Sequence, residues 1–396
     1  MKKKFLLNWV YYRPVGHVVE ALKLAKGFAL ANSDIEVYLL LNSASPIELA
    51  SACDWIKETY PVSLSEIWKD GDKAKTIEDL PKVWDYIITD DRTNRFVSGW
   101  DEDDLIKAHT VLTSVLEATV DKGFVEQGKP HESILPCINN PKINLPIPDS
   151  AKDFADRYKH LGPAICVMLG GSAGEKQGPS MLMWASICEA LFNSIPEIKI
   201  YFTGVDKSVG GRTATDDYKL DDIQKLADRL PNAEVAYNIG LWNQLALIQK
   251  CDLFLSPHTG FAFLPPLVGT PWLELANCRW PAYMFNYIPF YSVLPECGWY
   301  PSTNETKEGC GKLLSEDKKS ICTTDAFLEK KIPEIVYGAK LLLDKNFTYS
   351  QAVKIHLDKI KEHYDISKFF FFGGMEGLIQ KEFYRHDPNS LGDPQT

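Results

Sequence analysis

The run Cys251–Leu275, CDLFLSPHTGFAFLPPLVGTPWLEL, decides how the chain is read. Asp252 to Ser256 is a short apolar run of strand length, His258-Thr259-Gly260 turns the chain, and Phe261 to Val268 returns as an apolar helical segment. Gly269-Thr270-Pro271 ends that segment, and a second strand, Trp272 to Leu275, follows at once. A helix that opens in such a turn aims free backbone N–H groups and a positive dipole end at whatever lies above the sheet, which suits a phosphate or diphosphate. The same pattern also serves as plain scaffold in α/β proteins, so the rest of the chain has to choose.

Upstream, the pattern repeats. Ala164 to Leu169 is a buried strand ending in Gly170-Gly171-Ser172, and Ile198 to Thr203 is another, ending in Gly204. Helices over Ser180–Phe192, Tyr218–Arg229 and Asn243–Lys250, with a strand over Glu234–Tyr237, complete a βα alternation. The N-terminal half opens the same way. Phe5 to Val10 is a strand, the turn Tyr11-Tyr12-Arg13-Pro14-Val15-Gly16 follows, and a helix starts near His17 with Val18, Ala21, Leu22, Ala25 and Phe28 at helical spacing. Asp34 to Leu41 reads as strand, Ala44 to Glu58 as helix, and Asp85 to Thr89 as strand before a polar loop. Residues 137 to 160, rich in proline and asparagine at their start, read as the linker.

This organisation predicts two doubly wound Rossmann-like domains facing across a cleft, over residues 1–150 and 151–345. Residues 346–396 supply final helices and a polar tail. The stretch Cys278–Pro301 is crowded with aromatics and prolines and has no period; it reads as a packed irregular loop rather than a ligand contact.

At 396 residues, with 45% hydrophobic and 24% charged residues, the composition is that of a soluble globular protein of two domains. A net charge of −10 argues against binding nucleic acid through general phosphate attraction. The nine cysteines stand singly, without a CxxC pair, which fits a reducing, cytoplasmic setting. The opening MKKKFLLNWVYY is too short and polar for a signal peptide and reads as the first strand. No run approaches membrane-spanning length, so any membrane contact would be peripheral.

Open α/β sheets bind ligands beyond the carboxyl ends of their strands. Three glycine turns, Gly16-His17, Gly170-Gly171-Ser172 and Thr259-Gly260-Phe261, are expected there, a pattern suited to a nucleoside diphosphate. GGSAGE lacks the GxGxxG spacing, and no P-loop lysine follows. A neutral His17 imidazole is suited to take a proton from an acceptor hydroxyl, or else it merely caps a helix. Asp90 and Asp91 would orient it, act as base, or serve as turn residues. Glu274, at a strand end, would accept ribose hydroxyls or cap the next turn. Lys176, Lys207 and Arg212 would neutralise a leaving group or simply be solvated. No DxD pair lies in a loop after a strand, so no metal site is expected, and charge would fall to helix dipoles and basic side chains.

With these residues in place, the chain resembles the GT-B glycosyltransferases, nearest the heptosyltransferase-like group. SPHTGFAFLPPLVGTPWLEL is similar to that group's D-T/S-G-x-x-H-x-A-x-x-x-G-x-P signature, matching it at Thr259-Gly260 and Gly269-Thr270-Pro271. His258 stands where the group has Asp, and Phe263 where it has His. Gly16-His17 looks like the Gly-His of other GT-B enzymes, whose histidine lies in the acceptor cleft. The resemblance implies an inverting, metal-independent sugar transferase with a nucleotide-sugar as co-substrate and no other cofactor. Gly170, Gly171, Ser172, Gly204, His258, Thr259, Gly260, Phe261 and Glu274 would hold the donor, with Tyr12, Arg13 and Gly16 at the acceptor and His17 and Asp90 catalytic. The acceptor would be a glycan, a lipid-linked glycan or a small molecule. The final helices, from about 349, would cross back to the first domain. A GT-B nucleotide-sugar 2-epimerase or hydrolase, and a non-catalytic sugar- or nucleotide-binding protein, are the alternatives.

Overall fold

A computed structural model describes residues 2–11, 13–89, 102–126, 135–138, 141–171, 178–206, 215, 218–276, 286–295 and 324–363. The chain forms two compact units, with the main division between Leu145 and Pro146. Each is built on a parallel sheet, so the chain is an α/β protein with two parallel-sheet domains.

The first unit contains β1 (Lys3–Trp9), α1 (Val15–Ala31), β2 (Ile35–Asn42), α2 (Ile47–Ser51), β3 (Glu58–Val62), α3 (Leu64–Asp70), α4 (Lys75–Glu78), β4 (Trp84–Thr89), α5 (Glu102–Glu117) and β5 (Val120–Glu126). Its strand order is β3-β2-β1-β4-β5, all parallel. Phe5 to Trp9 are buried on both faces, as a central parallel strand requires. From β1 the chain winds first to one side and then to the other, which puts the topological switch between β1 and β4. There the fully buried Asn8 donates its Nδ2–H to Thr89 Oγ1 at 2.7 Å.

Helix α1 follows Pro14, and the His17 amide closes its first turn on the Pro14 carbonyl. It is buried nearly all round, and Pro136, Ile138 and Pro141 lie along it. Asn32 Nδ2 donates to Pro136 O, the Ile138 amide to Gly27 O, and Lys23 Nζ to Pro141 O. The contact is backbone-close: a Cβ on Gly27 would stand 2.3 Å from Ile138 O. Burial pushes the Lys23 ammonium down to a pKa of about 7.

The second unit contains α6 (Asp149–Ala155), β6 (Ala164–Val167), α7 (Met181–Ser194), β7 (Lys199–Gly204), α8 (Leu220–Arg229), β8 (Ala233–Tyr237), α9 (Leu241–Lys250), β9 (Leu253–Pro257), β10 (Trp272–Leu275), β11 (Phe290–Val293), α10 (Asp325–Leu343) and α11 (Tyr349–His363). Its order is β11-β10-β9-β6-β7-β8, again parallel, with the switch between β6 and β9. Helix α10 packs on α7 and β11, and α11 lies on β11, which is an edge strand.

Several expectations change. Ala44 to Glu58 is not one helix: only Ile47–Ser51 is helical, and Glu58 already opens β3. The expected linker holds the helix α6. Phe261 to Val268 forms two 3₁₀ turns, Gly260–Phe263 and Pro265–Val268, in place of one α-helix. Pro265 and Pro266 lack the amides an α-helix would need there. The aromatic stretch from Cys278 contains strand β11. Of the final helices, α11 packs on the second unit, and the residues after His363 lie outside those described.

Candidate functional site

In the second unit, the turn after β6 meets the turn after β9 at the switch point, the crevice where such sheets take ligands. Gly171 fits against Thr259 so closely that a Cβ on it would stand 2.9 Å from both Thr259 Cβ and Cγ2. Gly170 is pressed against the Tyr218 ring, where a Cβ would meet the ring carbon at 2.7 Å. The Tyr218 hydroxyl is itself fixed on Pro179 O. Gly204, at the end of β7, lies under the Tyr237 ring and Thr215 Oγ1, and its carbonyl accepts from the buried Gln244 amide at 2.9 Å. Any side chain at these three glycines would displace a neighbour, so packing holds all three positions to glycine.

Thr259 caps the first 3₁₀ turn, its Oγ1 accepting the Ala262 amide at 3.3 Å. The opening amides of a helical turn have no partner within it, so those of Gly260 and Phe261 are available to an anion. His258, just before the cap, places Nδ1 3.1 Å from Glu274 Oε1. Its ring lies edge-on to Phe263, centroids 5.5 Å apart, and Phe263 in turn meets Trp272. Glu274 is fully buried at the end of β10, and its Oε2 accepts from Ser292 Oγ of β11 at 2.7 Å. A carboxylate so placed sets the orientation of His258; its expected contact with ribose would require it to emerge from the sheet.

In the first unit, His17 stands in the first turn of α1 with Nδ1 2.7 Å from Glu20 Oε2. Glu20 is buried and His17 half-exposed. When the carboxylate accepts the Nδ1 proton, Nε2 is the unprotonated ring nitrogen. Gly16 is buried inside α1, and the Arg13 carbonyl accepts from Ser45 Oγ. Beyond β1, the buried Tyr11 hydroxyl pairs with His109 Nδ1 of α5 at 2.7 Å. Tyr12, Asp90, Asp91, Ser172, Lys176, Lys207 and Arg212 lie outside the described residues.

Sequence reasoning missed Glu20, Ser292 and His109. Glu20 carried one signal, its i,i+3 spacing from His17 on a helix. Ser292 carried none, since its strand was not recognised. Among the described residues no three His, Cys, Asp or Glu side chains group to hold a metal ion. None of their helices is long and apolar enough to cross a membrane.

No family model matches the chain, and no curated protein matches it in sequence. Solved structures do. A glycosyl transferase family 9 protein from Veillonella parvula is similar over 87% of this chain and 98% of its own, with a TM-score of 0.54 at 12% identity. The ADP-heptose LPS heptosyltransferase II of E. coli is similar over 86% of this chain and 100% of its own, with a TM-score of 0.50 at 10% identity. At these identities the likeness is one of fold alone, the GT-B fold that these glycosyltransferase structures share.

Proposed function

We propose that this protein moves a sugar from a nucleotide-activated donor to an acceptor hydroxyl, by inversion and without a metal. The observation that supports it best is the Gly171–Thr259 contact at the switch point of the second sheet, which brings the glycine turn after β6 against the Thr259-capped turn after β9. The donor diphosphate would sit on the amides of Gly260 and Phe261, with the turns that carry Gly170, Gly171 and Gly204 around it and His258 beside it.

The first unit would supply the base. His17 Nε2 takes the acceptor proton, Glu20 holds Nδ1–H and stabilises the imidazolium, and the acceptor oxygen forms its bond to the anomeric carbon. The bond from that carbon to the diphosphate breaks, and its electron pair leaves with the nucleoside diphosphate. Preorganised N–H groups at the capped turn meet the developing charge. Attack opposite the leaving group inverts the anomeric centre. The acceptor is a glycan, a lipid-linked glycan or a small molecule. The buried thiols of Cys53, Cys166, Cys188 and Cys251, none in a disulfide, support a reducing, cytoplasmic setting.

The test is thermal stabilisation of the full chain by UDP, GDP, ADP, dTDP and CMP, with and without EDTA. A nucleotide at 100 times its Kd should add about 2.7 kcal/mol. If none shifts the melting curve, the nucleotide-sugar reading fails. Donor consumption without any acceptor would assign hydrolysis or epimerisation instead of transfer.

A further inference from the structure

We propose that Ser292 is a positioning residue for His258, acting through the buried carboxylate of Glu274, and that Lys359 holds in place the strand that carries it. The inference rests on the donor-site reading above and adds to it one residue of β11 and one of α11.

The three strands set the geometry. Ser256, Glu274 and Ser292 are register partners in β9, β10 and β11, so they form one row across the sheet. Glu274 is wholly buried, and an ionised carboxylate without water must have its oxygens satisfied by neighbours. Ser292 Oγ gives its single proton to Oε2, and His258 Nδ1 faces Oε1. The row is also closed on its inner side, where Trp272 Nε1 donates to Ser256 Oγ at 3.1 Å. With Nδ1 committed to Glu274 and Phe263 edge-on to the ring, Nε2 is the nitrogen left to face the diphosphate.

Among the described residues, strand β11 is the edge of its sheet, with β10 holding one side of it. The other side is held from α11. Lys359 Nζ donates to the Ser292 carbonyl at 2.6 Å and pairs with Glu334 of α10. Glu334 takes a second cation, Lys331, at 3.0 Å. A continuous set of polar contacts thus runs from α10 and α11 through Ser292 and Glu274 to His258.

The test uses the full chain as wild type, Ser292→Ala, Ser292→Thr, Glu274→Gln and Lys359→Met. In ligand-free protein, a histidine Nδ1–H held by a buried carboxylate gives a slowly exchanging downfield proton signal, assigned here by its loss in His258→Gln. That signal is expected in wild type and Ser292→Thr and absent in Ser292→Ala and Glu274→Gln. Affinity for UDP, GDP, ADP or dTDP, whichever binds, should weaken roughly 3- to 10-fold in Ser292→Ala and recover in Ser292→Thr. Lys359→Met should broaden the signal by loosening β11. A merely structural role for Ser292 would lower the melting temperature and leave signal and affinity unchanged, and that result overturns the proposal. If no nucleotide binds wild type, the donor reading fails, and the His258 signal still decides the positioning role.

Discussion

His17 and Glu20 face each other one turn apart at the start of α1, with the imidazole Nδ1 2.7 Å from a carboxylate that is itself buried. The pair is local in sequence and lies in the opening turns of α1, so both groups are placed by the helix rather than by a loop. If His17 is the base, His17→Ala should lower kcat by about 10²- to 10⁴-fold and leave nucleotide affinity near wild type. Glu20→Gln should lower kcat by a smaller factor, because the amide holds the ring without stabilising the imidazolium. Steady-state kinetics with donor and acceptor varied separately would check both; undiminished turnover in His17→Ala removes it from the mechanism.

The contact between Gly171 and Thr259 leaves no room for a methyl group. Gly171→Ala should cost about 1–3 kcal/mol of stability and weaken nucleotide binding, since relief requires the capped turn to move. Adding Thr259→Ser removes the clashing Cγ2 while keeping the capping hydroxyl. The double variant should therefore recover part of both losses, as read by urea unfolding and calorimetric titration. Simple additivity of the two substitutions would contradict the contact.

Lys23 makes the stability of the chain depend on pH. Its ordinary value is 10.5, and burial brings it to about 7 in the folded protein. Between these values the unfolded chain holds a proton that the native protein lacks, so this residue's contribution to stability rises with pH from about 7 to about 10. Below pH 7 both states are protonated and the contribution stays at its least favourable level. Lys23→Met should flatten that rise, which amounts to a few kcal/mol. Denaturant unfolding of both proteins across this range measures it; parallel curves would count against a neutral buried lysine.

Gly27 accommodates the backbone of Ile138 against α1. Gly27→Ala would gain helix propensity on an exposed surface, but here it should destabilise the chain by about 1–3 kcal/mol, because the carbonyl it meets is main chain. Hydrogen exchange should then show the Ile138 amide losing protection. A more stable variant with that amide still protected would show that the segment does not pack as described.

Much of the fold was legible because parallel strands buried on both faces become short apolar runs. FLLNW in β1, YLLL in β2, AICV in β6 and LFLS in β9 all show it. The strands that escaped notice are edge strands. ETYPV in β3 is half-exposed and carries a proline, VDKGFVE in β5 carries charges and a glycine, and FYSV in β11 hides among aromatics. Edge positions tolerate such composition because one side of the strand is unpaired. In the candidate site, the glycine turns could be read as places where backbone must come close. Glu20 offered only its i,i+3 spacing from His17, and Ser292 offered nothing, since its meaning depends on a cross-strand register that only the folded chain supplies.

The lysine that caps Ser292 has a second effect, on how the molecule meets its own copies. An edge strand offers its outward carbonyls and amides to any extended chain that approaches, and strand addition of that kind begins aggregation. Strand β11 is short, lies under α11, and has the outward Ser292 carbonyl already bonded to Lys359. Lys359→Met would therefore uncover a template as well as loosen a side chain, and the open border of the second sheet would become the place where two chains could join.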